Sequence, residues 1–323
     1  MAKLKKFMQV STKNFAIIYV VLGTMIIFEI ITNLVLKSNL YLGQTNLINI
    51  LRQSTIVAIM GAGEFFVIAS GMIDLSVGST VAASSIVYAA VFKLGGNEMM
   101  VPAILAAVCV GLIVGAINGI LVSRFNIPPF VATLGTMYIA RGVVYVATGC
   151  YPIIDLPSSY GYPGSGWLLG IPFPVIIMVV VFVFAITIAE KKKMGRFMYA
   201  IGGNTDAAYL SGINVKKYKT VAMILAGIFY SIAGIILAGR LGSGQPNSAN
   251  GYEFDAIIAV VMGGVSFSGG KGKALNVFFG ALFMTLLING MTLLAIDSYV
   301  QQITKGIIFV LAIGFDVYRN KKG

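Results

Sequence analysis

Apolar runs recur along the whole chain, and their length limits what it can fold into. They cover roughly residues 15–36, 47–70, 77–95, 101–122, 127–148, 171–189, 218–239, 254–265, 274–296 and 300–318. A helix needs about 20 apolar residues to cross a bilayer. No water is present there to pair backbone groups, so a spanning segment is a helix or part of a closed barrel. The runs predict an all-α, polytopic integral membrane protein with about ten transmembrane segments, broken or half helices included. The eighth run is too short to cross as a straight helix, so it reads as a half-helix continued by irregular chain or as a re-entrant segment. Composition agrees: 58% of the 323 residues are hydrophobic and 11% are charged, where a soluble domain carries about 25% charged residues.

Charge placement tests the count, because Lys and Arg collect on the cytoplasmic side. With a cytoplasmic N-terminus and ten crossings, both termini face the cytoplasm. Lys3, Lys5, Lys6, Lys13, Arg124, Lys191, Lys192, Lys193, Arg196, Lys216, Lys217, Lys219, Lys271, Lys273, Arg319, Lys321 and Lys322 then lie inside. Lys37, Lys93 and Arg240 lie outside, and Arg52, Arg141 and Lys305 fall within or near spans. The net charge of +12 is thereby explained by topology, without nucleic acid as a partner. The first run is too long for a signal peptide and shows no small-residue cleavage site, so it reads as an uncleaved span. Residues 149–170, with three prolines, Trp167 and no Lys or Arg, read as an ordered external loop with an interfacial aromatic anchor.

The stretch "MGGVSFSGGKGKA" (262–274) has the look of a phosphate loop but not its chemistry. Five residues separate Gly264 from Gly270-Lys271, where four are required, and Gly272 replaces the magnesium-binding hydroxyl residue. A tight cytoplasmic turn between the eighth and ninth runs is the expected role. Histidine is absent, and two cysteines, Cys109 and Cys150, make neither a disulfide framework nor a zinc site. No metal site and no catalytic residue is expected.

Small residues mark close helix contacts. Gly111, Gly115 and Gly119 form a doubled GxxxG stripe, and Gly227 with Ser231 and Gly234 with Ala238 repeat the spacing in the seventh run. Charges at membrane depth are costly and invite functional roles. Glu29, Glu64, Arg52 and Arg141 are such candidates; Arg52 lies near enough to a span end to snorkel, and Glu64 is either an interhelical partner or a pathway residue. In "ASGMIDLSVGS" (69–79), Gly71 can end one helix and Asp74 or Ser76 can cap the next. The same break could line a conduit for a polar substrate. Asp255, beside Glu253 at the start of the eighth run, suits a helix N-terminus. Asn118, Thr133, Thr136 and Asn289 complete the candidate lining, although such residues equally join helices.

The longest cytoplasmic loop, about residues 190–218, holds a short helix predicted over 206–211. Asn204 or Thr205 can cap it, and Gly212 can end it in the left-handed conformation. Two turns of helix are marginal in water and require a packing partner.

Asp206-Ala207-Ala208, then three residues and Gly212, resembles the EAA---G loop of bacterial ATP-binding-cassette importer permeases, with Asp in place of the usual Glu. "GRFMYAIGGNTDAAYLSGINV", "GYEFDAIIAVVMGGVSFSGGKG" and "GMIDLSVGS" are similar to the ribose/xylose/galactose (and autoinducer-2) branch, most of all to its ribose-type members. The likeness covers nearly all of the chain. It implies one transmembrane permease domain over 1–323 in the bacterial cytoplasmic membrane, coupled through Asp206, Ala207, Ala208 and Gly212 to a cytoplasmic ATPase. It also implies an extracytoplasmic sugar-binding protein and a second permease copy, identical or paralogous. ATP and magnesium would bind to the ATPase, with no cofactor on this chain beyond contact with membrane lipid. The competing transport reading is an ion-coupled secondary transporter for a small polar solute, for which Glu64, Asp74 and Asp255 are the few available coupling groups. A membrane enzyme is the weakest reading, given the missing catalytic clusters.

Overall fold

A computed structural model describes residues 2–321, with side chains described from 17 to 318. The basic residues assigned to the two ends at 3–13 and 319–322 lie outside the described side chains. The helices are α1 (Ala2–Leu36), α2 (Gln44–Ala69), α3 (Val77–Gly95), α4 (Met100–Ser123), α5 (Pro129–Thr148), α6 (Tyr162–Ser165) and α7 (Phe173–Ile186). They continue as α8 (Lys193–Gly203), α9 (Thr205–Leu210), α10 (Val215–Leu241), α11 (Tyr252–Met262), α12 (Ala274–Leu293) and α13 (Ser298–Lys321). A two-stranded hairpin, β1 (Trp167–Leu168) with β2 (Ile171–Pro172), is the named sheet among the described residues.

Eight helical stretches are long and apolar enough to cross a membrane, which is fewer than the ten runs. Two features account for the difference. Residues Val77–Ser123 form one 47-residue helical stretch, yet within it α3 and α4 are joined by a 3-10 turn over Gly96–Met99 and pack on each other. Gly96, at φ +60°, allows that reversal. The eighth run is the 11-residue α11, about 16 Å long at 1.5 Å per residue and so shorter than the hydrocarbon core.

The centre of the bundle is α10 against α2, α3 and α4, and α12 packs on α2 and α11. The glycine stripe explains how the backbones come so close. A Cβ on Gly111 would overlap Ser231 Oγ and the carbonyl oxygen of Gly227, and one on Gly115 would overlap the carbonyl oxygen of Met223. One on Gly119 would lie 2.8 Å from Thr220 Cα. Gly234 meets the Val81 carbonyl of α3 in the same way. These positions serve packing. By contrast, α13 rests chiefly on α11, through the Phe254–Phe309 ring pair and the 2.8 Å ion pair of Lys305 with the buried Asp255.

Helix ends follow local chemistry. At α2, the Gly71 N–H bonds Ile68 O and the Met72 N–H bonds Val67 O, with Gly71 at φ +73°. This pair of hydrogen bonds across a left-handed glycine is the Schellman stop. Gly264 ends α11 by the same pair of bonds. The segment that follows α5 is held by Arg52, which donates to Ser165 O at 2.8 Å and lies 4.9 Å over the Trp167 ring. Arg52 thus supports the hairpin instead of only snorkelling. Glu29 accepts the Leu42 N–H at 2.9 Å and ties the α1–α2 link.

Candidate functional site

Two separate constellations contain the candidate residues. The first is a buried polar chain through the middle of the bundle. Glu64 on α2 accepts from Tyr230 Oη of α10 at 2.7 Å and from the Asp74 N–H at 3.2 Å. Asp74 Oδ1 accepts both the N–H and the hydroxyl of Ser76, at 2.7 and 2.6 Å. Asn118 Nδ2 of α4 donates to Ser76 Oγ at 2.9 Å, and Thr136 of α5 donates to Asn118 Oδ1 at 2.6 Å. Thr133 reaches Ile73 O at 3.4 Å, but its shorter bond is to Pro129 O on its own helix. Of the lining candidates, Glu64, Asp74, Asn118, Thr133 and Thr136 therefore meet around the α2–α3 break, where Glu64, Asp74, Ser76 and Asn118 are all buried.

Neither Asp74 nor Ser76 caps α3 in the predicted manner. Ser76 occupies the N-cap position without a side-chain cap bond, because its hydroxyl is held by Asp74 and Asn118. Asp74 folds the break by an Asx-type bond to the residue two ahead. Asn289 lies elsewhere, exchanging amide hydrogen bonds with Asn46 at 2.9 Å. Arg141 donates to Pro246 O and Ser248 O, at 2.9 and 2.8 Å, and clamps the chain leading into α11.

The geometry gives Glu64 the character of an interhelical partner. Both of its oxygens are engaged, and buried donors deprived of acceptors carry a penalty. Glu64→Ala is expected to leave the Tyr230 hydroxyl and the Asp74 N–H unpaired and to cost about 2–4 kcal/mol of stability. Tyr230→Phe, which removes one donor and leaves the carboxyl group bonded to the Asp74 N–H, should cost less. Melting of the two variants in detergent checks the order; equal losses would mean that Tyr230 alone accounts for the role of Glu64.

The second constellation is the short helix in the long loop. Asn204 is the cap: its Oδ1 accepts the Ala207 N–H at 2.9 Å. The helix runs one residue earlier than expected, Thr205–Leu210. It ends on Gly212 at φ +80°, with the Gly212 N–H on Tyr209 O and the Ile213 N–H on Ala208 O. Ala208 is buried, whereas Tyr209 and Leu210 are 71% and 84% exposed. A groove of about 810 Å³, bordered by Val122, Asn126, Tyr209, Gly212, Lys216 and Lys219, runs beside it. One side of α9 is thus seated on the bundle while two large apolar side chains project from it. Asp206, Ala207, Ala208 and Gly212 are together here, and they are distinct from the buried chain.

The glycine-rich turn at 263–273 follows a helix, not a strand, and folds onto the protein by backbone contacts. Ala69 O accepts the Gly270 N–H at 3.1 Å. Among the described residues, no group of three or more His, Cys, Asp or Glu is placed to hold a metal ion.

Residues 46–313 match the family described as branched-chain amino acid transport system / permease component. The chain belongs to this permease family. Curated relatives agree along most of the sequence. The ribose import permease protein RbsC of Escherichia coli (strain K12) is 42% identical over 281 residues, 86% of each chain. The ribose import permease protein RbsC of Bacillus subtilis (strain 168) is 41% identical, over 85% of this chain and 86% of that protein. The D-allose transport system permease protein AlsC of Escherichia coli (strain K12) is 35% identical over 94% of this chain and 93% of that protein. No solved structure is matched. Membership in the permease family makes the chain a multi-pass membrane transport component and not an enzyme, in accord with its apolar helices.

Sequence reasoning missed several residues of this permease. Tyr230 sits among apolar neighbours in α10, and only its polar hydroxyl in a span could have marked it. Gly202, Gly269 and Gly270 carry no local sign of which backbones they approach.

Proposed function

We propose that the chain is the membrane-spanning permease subunit of an ATP-driven importer for a monosaccharide, ribose-like in its chemistry. Identity of 41–42% to ribose import permeases over about six-sevenths of each chain is the observation that carries this reading. Relatives that bear allose and xylose in their names are more distant, at 35% and 32%. ATP and magnesium bind on a separate cytoplasmic ATPase, and an extracytoplasmic binding protein delivers the sugar. A second permease copy completes the membrane core. Residues 1–323 act as one transmembrane domain with both termini in the cytoplasm.

In this reading α9 is the lever. Tyr209 and Leu210 fill an apolar groove on the ATPase, Ala207 permits close approach, and Asp206 meets a basic residue at its rim. Ala208 seats this short helix on the bundle, and its exposed tip supplies apolar area worth about 25 cal/mol per Å² on burial. ATPase closure moves α9, and the spans change between inward- and outward-facing states by differential contacts in the two.

The experiment is uptake of labelled ribose into proteoliposomes containing the chain, the ATPase and the binding protein. Accumulation that needs ATP and survives dissipation of ion gradients is expected, with unlabelled ribose competing better than allose or xylose. Accumulation without the ATPase that collapses with an ion gradient would establish the secondary transporter instead.

A further inference from the structure

Three glycine-bearing turns meet backbone to backbone beside the end of α2. One is the stop at Gly71, the second is the end of α8 at Gly202 and Gly203, and the third is Gly269-Gly270 in the α11–α12 turn. The Gly270 N–H donates to Ala69 O at 3.1 Å. A Cβ on Gly202 would overlap Ala69 O and lie 2.6 Å from Gly270 N. One on Gly269 would lie 2.9 Å from Gly71 Cα, and one on Gly270 would lie 2.6 Å from Gly203 Cα. Tyr199, a turn earlier on α8, adds a side-chain tie by donating to Gly272 O at 2.8 Å.

The junction lies between the two constellations. Gly202 is two residues before Asn204, the cap of α9. Gly71 is three residues before Asp74, whose N–H is held by Glu64. Backbone atoms in direct contact have no rotamers with which to absorb a displacement, so close-packed contacts pass it on. Any shift of α9 and the end of α8 therefore presses on the end of α2 and on the α2–α3 break.

We propose that Gly202, Gly269 and Gly270 are positioning residues for transport, carrying movement of α9 into the end of α2 and the Glu64–Asp74–Asn118 chain. This rests on the reading of α9 as the lever and names the path from that lever into the membrane. Alanine is a good helix former, so Gly202→Ala alters the junction without weakening α8. Gly203 is the internal control, since a Cβ there meets nothing within 4 Å.

The test is the ratio of sugar taken up to ATP hydrolysed in proteoliposomes of the complete transporter. Gly202→Ala is expected to lower that ratio at least ~5-fold, with the ATPase still bound and still hydrolysing ATP. Gly203→Ala should match the unmodified chain. A normal ratio for Gly202→Ala, or equal losses for both variants, overturns the junction. Should Gly202→Ala fail to assemble, Tyr199→Phe decides: it removes one tie without moving backbone, and the ratio should fall ~2-fold, an unchanged ratio overturning the proposal. Failure of the lever reading is separately visible as an unmodified chain that takes up sugar with no ATPase present, which overturns both.

Discussion

Gly212→Val is expected to reduce ATP-driven uptake at least ~10-fold while the chain remains in the membrane in normal amount. The effect follows from the backbone alone. Gly212 sits at φ +80°, and a Cβ there would meet no atom within 4 Å, so the strain arises in the backbone before any contact of the Cβ. A β-branched residue strongly disfavours that conformation. The two bonds that close α9, from Gly212 to Tyr209 and from Ile213 to Ala208, would be lost together, and the exposed tip would lose its fixed direction. Gly212→Asn, which tolerates the left-handed region better, should retain much more uptake than Gly212→Val. Uptake and ATPase co-purification measured across the two variants check the order. Equal and normal uptake in both would remove the coupling role from this turn.

Gly111→Val is expected to have the larger effect on the protein itself. The added side chain would enter the space of Ser231 Oγ and of the Gly227 carbonyl, and the carbonyl is backbone that cannot rotate aside. Helices α4 and α10 would have to separate, and the Gly115–Met223 and Gly119–Thr220 contacts would separate with them. Overpacking typically costs about 1–3 kcal/mol and more when backbone must move. In a membrane, where apolar burial does not drive helices together, close packing carries a larger share of the association. Little monodisperse protein should be recovered in detergent. Gly142→Ala on α5, where a Cβ meets nothing within 4 Å, should be recovered like the unmodified chain. Normal yield and melting of Gly111→Val would show that the α4–α10 contact is looser than described.

Features governed by local rules were legible in the sequence. The requirement for about 20 apolar residues per crossing located the spans, and it identified α11 as too short. The stripe on α4 was visible because residues four apart share a helix face. Asn204 and Gly212 were visible because a cap needs a side-chain acceptor and a left-handed stop needs a missing Cβ. Long-range contacts were not legible. Glu64 and Tyr230 are 166 residues apart, and Asn46 and Asn289 are 243 apart. Nothing along the chain distinguishes a glutamate awaiting a tyrosine from one facing a conduit, or an asparagine paired to another from one lining a path. The likeness of Asp206-Ala207-Ala208 and Gly212 to a coupling loop named the candidate lever. The contacts of Gly202 and Gly269-Gly270 with the end of α2 emerge only once the turns are brought together in space.

In the proposed function α9 faces the cytoplasm and is gripped there by a separate ATPase. Cysteine placed at Tyr209, in a chain with Cys109 and Cys150 replaced by serine, tests this directly. It should form a cross-link to the co-expressed ATPase and resist membrane-impermeant thiol reagents added outside intact cells. Labelling of that cysteine from outside, with no cross-link to the ATPase, would contradict the account.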